Sequence, residues 1–261
     1  MTTARLLLTG WSWNPMAALV AAAAGAYLLA FRGRGRPVLF LAGCALAALA
    51  LVSPLALLAS RYLFSAHMAQ HLILLLVAPV LLVLGLPAGC RLPAAARGLL
   101  RAPVAWTAGV GSMWFWHVPA LCDAAAASAG VHAVQSASLL LLGAAFWWPI
   151  AAPDPRDRIG PLGGIGYLFS ACLACTALGI IITLTPAEVC PIFRSPADPV
   201  GILALARRRW ALGPERDRQL GGLLMWVPMC LVYLSAIFVE LARWYGEAAE
   251  RAPSAPPGEA A

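Results

Sequence analysis

The chain has no lysine and few charges of either sign. Only 11% of its 261 residues are charged, against about 25% in an ordinary soluble domain. That shortage excludes a soluble globular enzyme, a disordered chain and a nucleic-acid module. The 18 basic residues are all arginine, and most fall between apolar runs. They read as topology determinants rather than as a patch for an acidic partner. Apolar residues do not alternate with polar ones, so a membrane β-barrel is excluded. Histidine is also scarce, at four residues.

What is abundant is apolar sequence: 62% of the residues are hydrophobic and mean hydropathy is +0.81. A hydrocarbon core about 30 Å thick needs roughly 20 apolar residues per helix. Seven runs qualify, at 13–31, 38–58, 63–84, 103–117, 131–150, 162–185 and 220–245. The expectation is an all-α polytopic bundle of seven transmembrane helices over residues 1–245, with a disordered cytoplasmic tail, rich in Ala, Pro and Glu, over 246–261. The first run is read as a retained helix, because its charges, Arg32, Arg34 and Arg36, follow it rather than lead it.

Arginine bias sets the expected orientation. The first, third and fifth connections carry Arg32, Arg34, Arg36, Arg91, Arg97, Arg101, Arg156 and Arg158. The intervening second and fourth carry Arg61 alone. The N-terminus is therefore expected outside and the C-terminus in the cytoplasm. The long sixth connection opposes this with Arg194, Arg207, Arg208, Arg209, Arg216 and Arg218. Trp11, Trp13, Trp114 and Trp116 are expected in an outer aromatic belt, with Trp106, Trp147, Trp148 and Trp244 in an inner one.

In this topology His67, His71, His117 and His132 all lie near the outer face. His67 and His71 stand at i and i+4, on one helix face and about 6 Å apart, a bidentate metal spacing. Met113 and His117 share the same relation. Met225 lies about one and a half turns below the outer end of the last run. Imidazole with thioether suits copper, Cu(I) above all, rather than Mg or Ca. The candidate metal ligands are thus His67, His71, His117 and His132, with Met113 and Met225 as auxiliaries and Gln70 or Gln135 as partners that orient the rings. The competing reading of each His is an interfacial hydrogen bond, and of each Met, packing. The outer acids, Asp123, Glu188, Asp198, Glu215 and Asp217, are placed in loops, and the His67–His71 spacer has no Glu. A zinc hydrolase is not indicated.

The seven cysteines are odd in number and scattered, so no disulfide framework is implied. Cys172 and Cys175 are read as packing. Cys122 and Cys190 fall near the His side, as extra ligands or exposed thiols. Pro54, Pro79, Pro119, Pro149 and Pro228 sit in or beside runs, where each removes an amide donor and can kink a helix.

Several separated motifs resemble the Caa3/CtaG family of cytochrome c oxidase assembly factors. They are Trp11-x-Trp-Asn-Pro15, Ser53-Pro-Leu55, Leu63-Phe-Ser-Ala-His-Met-Ala-Gln-His71, Leu84-Gly-Leu-Pro87, Trp116-His-Val-Pro-Ala-Leu121, Val131-His132, Phe146-Trp-Trp-Pro149, Asp217-Arg-Gln-Leu-Gly-Gly222 and Met225-Trp-Val-Pro228. The resemblance implies a seven-helix bacterial plasma-membrane protein, not an enzyme. It implies partnership with oxidase subunits and a part in delivering copper to an aa3- or caa3-type oxidase. The chain departs from the pattern at Gln135 and Ser136, where the family usually has Glu and a further His, and at Arg218, where it usually has Gln. A second reading of the histidines is a haem-binding electron carrier with His71 and His117 as axial ligands. A transporter would want inverted repeats or midplane charges, and only Glu240, near the inner end of the last run, qualifies.

Overall fold

The computed structural model describes residues 2–185 and 189–251, and all regular structure among them is helical. The helices are α1 (Thr3–Thr9), α2 (Pro15–Phe31), α3 (Pro37–Val52), α4 (Pro54–Arg61), α5 (Phe64–Gly85), α6 (Ala94–Leu99), α7 (Ala102–Trp116), α8 (Pro119–Ala127), α9 (Ala129–Ala151), α10 (Pro161–Leu184), α11 (Ile202–Arg209) and α12 (Pro214–Arg251). Local chemistry places many of the starts. Proline opens α2, α3, α4, α8, α10 and α12, the position where its missing N–H costs nothing. Asn14, Ser53 and Ser128 cap α2, α4 and α9 through their side chains. Pro54 and Pro119 therefore begin helices instead of kinking them.

Each expected run coincides with helix, but seven full spans are more than the helix lengths show. Four helices are long and apolar enough to cross a membrane: α5, α9, α10 and α12. A fifth is α3 with α4, if the pair, bent by 52°, is one span. The break falls at Ser53, whose extended backbone ends α3 while its hydroxyl caps α4. The 17 residues of α2 and 15 of α7 rise only about 25 and 22 Å. The last helix runs on to Arg251, six residues into the expected tail, and 252–261 lie outside the described residues.

Successive long helices run in alternate directions. At one end Ser12 N–H donates to Val52 O (3.0 Å), joining the start of α2 to the end of α3. At the other, Tyr27 OH and Arg36 N–H both donate to Gly85 O (2.7 and 3.0 Å), joining the α2–α3 turn to the end of α5. The central helix is α5, packed against α3, α9 and α12. Midway it widens into a π-turn, Ile73–Val77, just before Pro79. A freed carbonyl in an apolar interior needs a donor, and Trp147 Nε1–H reaches Leu76 O at 3.1 Å. Trp147 is therefore 1% exposed and serves the core, not an aromatic belt. Trp116 and Trp148 are buried as well, whereas Trp11, Trp13 and Trp114 are exposed as expected.

The first turn of α5 has no cap of its own. Asp217, from the first turns of α12, supplies one. Its carboxylate accepts from Phe64 N–H (2.7 Å), Ser65 N–H (3.1 Å) and the Ser65 hydroxyl. Asp217 is thus a buried helix residue, not the loop acid expected. The two helices approach so closely because residue 221 is glycine: a Cβ there would stand 2.5 Å from the Phe64 ring and 3.2 Å from Met68 Cγ. Arg218, the next residue, turns the other way and donates to Thr185 O (2.6 Å) and Ile182 O at the end of α10, a favourable cation at a helix C-terminus. Asp217→Ala strips two buried amides of their acceptor, which should cost about 2–4 kcal/mol. The unfolding midpoint of the purified protein is expected to fall clearly for Asp217→Ala and less for Asp217→Asn, which keeps one acceptor oxygen.

Candidate functional site

Three imidazoles meet just inside the end of the bundle that α5 enters. His67 and His71 stack along α5 with ring centroids 4.3 Å apart. His117, which ends α7, stands edge-on to His71 at 5.5 Å. They are 0%, 5% and 5% exposed, so interfacial hydration does not account for them. Backbone carbonyls orient two of the rings. His67 Nδ1 lies 3.2 Å from Ala59 O, and His117 Nδ1 2.6 Å from Met113 O. A carbonyl oxygen only accepts, so each Nδ1 carries the proton and each Nε2 presents its lone pair. His117 Nε2 faces Met68 Sδ at 3.2 Å. His71 Nε2 is buried without a hydrogen-bond partner.

The remaining candidates take other positions. His132 is joined to Gln70, its Nε2 3.2 Å from Gln70 Oε1, while Gln70 Nε2 donates to Ala50 O at 2.7 Å. This bridge ties α9, α5 and α3 together and holds α5 in rotation. Gln135 is 1% exposed and faces His71, with neither amide atom in a close hydrogen bond. Met113 gives His117 its carbonyl, while its sulfur contacts the Cys175 thiol at 3.5 Å. Met225 is buried one turn beyond Gly221, on the α12 face turned to α5. Among the described residues no group of three His, Cys, Asp or Glu side chains is positioned to hold a metal ion. The three rings are therefore an open set in which only His71 Nε2 lacks a partner, not a closed cage.

Sequence reading missed two features. Met68 lay in plain view beside His67, but i+1 is not a same-face spacing. Only the arrival of His117 gives its sulfur a role. The second is a disulfide between Cys122 on α8 and Cys190, Cα atoms 5.6 Å apart, which replaces the open-thiol and ligand readings. Cys122 Sγ lies 4.0 Å from His67 Nε2, so the link roofs the histidines. Phe193, just after Cys190, packs its ring 5.5 Å from that of His67. Outside this roof a cavity of about 390 Å³ opens between Phe64, Phe193, Glu215, Asp217 and Arg218. The nearby acids act on backbone: Asp123 accepts from Ile192 N–H, and Asp198 from Ile202 and Leu203 N–H. Glu188 lies outside the described residues. Cys172 and Cys175 do not form a chelating pair, since Cys172 faces Cys230 and Cys175 faces Met113 and Tyr233.

A family model described as cytochrome c oxidase caa3 assembly factor matches residues 18–247. An uncharacterized protein of Mycobacterium leprae is 28% identical over 235 aligned positions, covering 80% of this chain and 34% of its own length. One from Mycobacterium bovis is 29% identical over 279 positions, covering 93% of this chain and 40% of its own. The chain thus spans between a third and two fifths of the length of these relatives. No solved structure matches it significantly. The roof over the site is open to direct measurement. Thiol titration of the denatured protein is expected to count five free cysteines before reduction and all seven after; seven before reduction would remove the disulfide.

Proposed function

The chain belongs to the family of cytochrome c oxidase caa3 assembly factors, and we propose that it assists assembly of an aa3- or caa3-type oxidase by holding or passing copper at the extracytoplasmic face. The observation that carries this reading is the orphaned Nε2 of His71, between two imidazoles whose Nδ1 protons are already committed to carbonyls. Buried polar atoms are normally paired, and a fixed Nδ1–H···O=C bond orients imidazole as a metal ligand. With Met68 Sδ at hand, the donors are soft to borderline, the set that favours copper. Copper is here cargo, gained from a donor and given to an oxidase subunit. The protein needs no turnover chemistry, and the role is non-enzymatic. His67, His71 and His117 are the proposed ligands, with Met68 beside them and Met113 and Met225 in the surrounding sulfur-rich wall. His132 is assigned a positioning role through Gln70.

The same reading treats the seven expected runs as seven crossings, the short α2 and α7 spanning where the bilayer thins locally. Two independent features support an outside N-terminus and a cytoplasmic C-terminus. One is the arginine of the first, third and fifth connections. The other is the Cys122–Cys190 disulfide at the histidine end, since such bonds persist in oxidising compartments. The partners are oxidase subunits and the lipid bilayer. The haem alternative is not favoured. It needs a slot for a flat macrocycle between His71 and His117, and the His67 ring and Met68 sulfur crowd that space.

His67→Ala, His71→Ala and His117→Ala are each expected to lower copper retention about 10- to 100-fold, comparable with known losses at metal sites. His132→Ala should lose less. Copper content of the purified variants and oxidase activity at matched expression measure both, and wild-type values for all four would overturn the copper role. A periplasm-dependent reporter fused to the C-terminus should stay silent, whereas a strong signal would place the histidines in the cytoplasm.

A further inference from the structure

The end of the bundle opposite the histidines holds a second built cavity, of about 390 Å³, between the start of α7, the end of α9 and the short turn Pro155–Asp157. Four arginines line it, Arg97, Arg101, Arg156 and Arg158, together with Trp148 and Asp157. Arg158 spends its Nε–H on Ala152 O at 2.6 Å. The guanidinium groups of Arg97, Arg101 and Arg156 make no hydrogen bond or ion pair among the described residues. The neighbouring carboxylate of Asp154 is already engaged by Arg91 (3.1 Å) and by the Arg156 N–H (3.0 Å). Those contacts, the backbone N–H first and then the guanidinium, hold its carboxyl below the usual range. The cavity's own formal charge is therefore four minus one, or +3. α7 begins here without a side-chain cap, adding the positive end of a helix dipole.

Two buried polar atoms on the wall complete the description, and they have opposite needs. Trp148, 6% exposed, has no acceptor for its indole N–H. Asp157 Oδ2 is buried with no donor. Beside the cavity Leu99 and Val104 are 69% and 46% exposed, an apolar margin continuous with the helix surface.

We infer that this cavity is a headgroup site for a membrane glycerophospholipid whose headgroup can donate a hydrogen bond. The phosphodiester answers the arginines, the helix start and the Trp148 N–H. An ethanolamine ammonium or a glycerol hydroxyl answers Asp157 Oδ2. The acyl chains run along Leu99 and Val104. Choline satisfies the arginines but has no N–H or O–H for Asp157, so phosphatidylcholine is excluded on chemistry. Basic pockets between membrane helices at an interface recognise lipid headgroups in this way. The inference rests on the membrane reading of the apolar helices and is independent of copper.

The test is native mass spectrometry of the full chain in detergent doped with equal amounts of phosphatidylethanolamine, phosphatidylglycerol and phosphatidylcholine. Retention of the first two is expected to exceed that of the third about tenfold. Arg97→Gln with Arg101→Gln should lower retention of all three lipids about tenfold, and Trp148→Phe should lower it several-fold. Arg61→Gln, at the other end, should leave it unchanged. Arg97→Lys with Arg101→Lys retains the charge and should keep most of the retention, which separates loss of site from loss of fold. Equal retention of all three lipids by the unaltered chain, or undiminished lipid retention in the double Gln variant, would overturn the site. Displacement of bound lipid by glycerol phosphate alone at millimolar concentration would reassign it to a soluble phosphate.

Discussion

The fold depends most on one carboxylate. Asp217 lies about 150 residues from the amides it caps, and it secures the first turn of α5. That turn carries the spacing from which His67 and His71 take their direction. Without an acceptor, two amides in an apolar setting would be orphaned at the most buried helix start in the bundle. Gly221, one turn on, lets α12 close to the range where the cap forms. Arg218, between them, fastens the same helix to the end of α10. The Asp217-to-Gly222 segment is therefore a clamp in which adjacent side chains hold two different helices.

The histidine cluster follows from this clamp. Rotation of α5 is set at its start by Asp217 and one turn further by Gln70, whose amide spans from Ala50 O to His132. With both contacts made, His67 and His71 must face α7, where His117 ends the helix. The rings are held by groups on several elements, so their spacing is rigid without a metal.

Much of this was legible in the sequence, and the part that was not has a physical reason. Apolar runs and the i, i+4 histidines are local patterns, and helical period alone brings His67 and His71 together. Helix lengths were less legible. A hydropathy run continues through Ser53, whereas the backbone does not, because a hydroxyl capping the next helix ends the previous one. Pairings across the chain were hidden for a different reason. Nothing local marks Asp217 as a cap rather than a loop acid, Met68 as a neighbour of His117, or Cys122 as the partner of Cys190. Each depends on which helix ends the topology gathers at one face. Trp147 was misplaced by the same limit, since an interfacial tryptophan and one that satisfies a π-turn have the same local sequence.

The Cys122–Cys190 link has a consequence for biogenesis. Its loop of 68 residues encloses all of α9 and α10, one passage into the membrane and one back. On the proposed orientation neither thiol can find the other until that hairpin has inserted and the segment after α10 has emerged on the oxidising side. The bond then works as a latch closed from outside, after synthesis has passed the hairpin. On that orientation the histidines of a nascent chain are still open, and those of the mature chain are roofed.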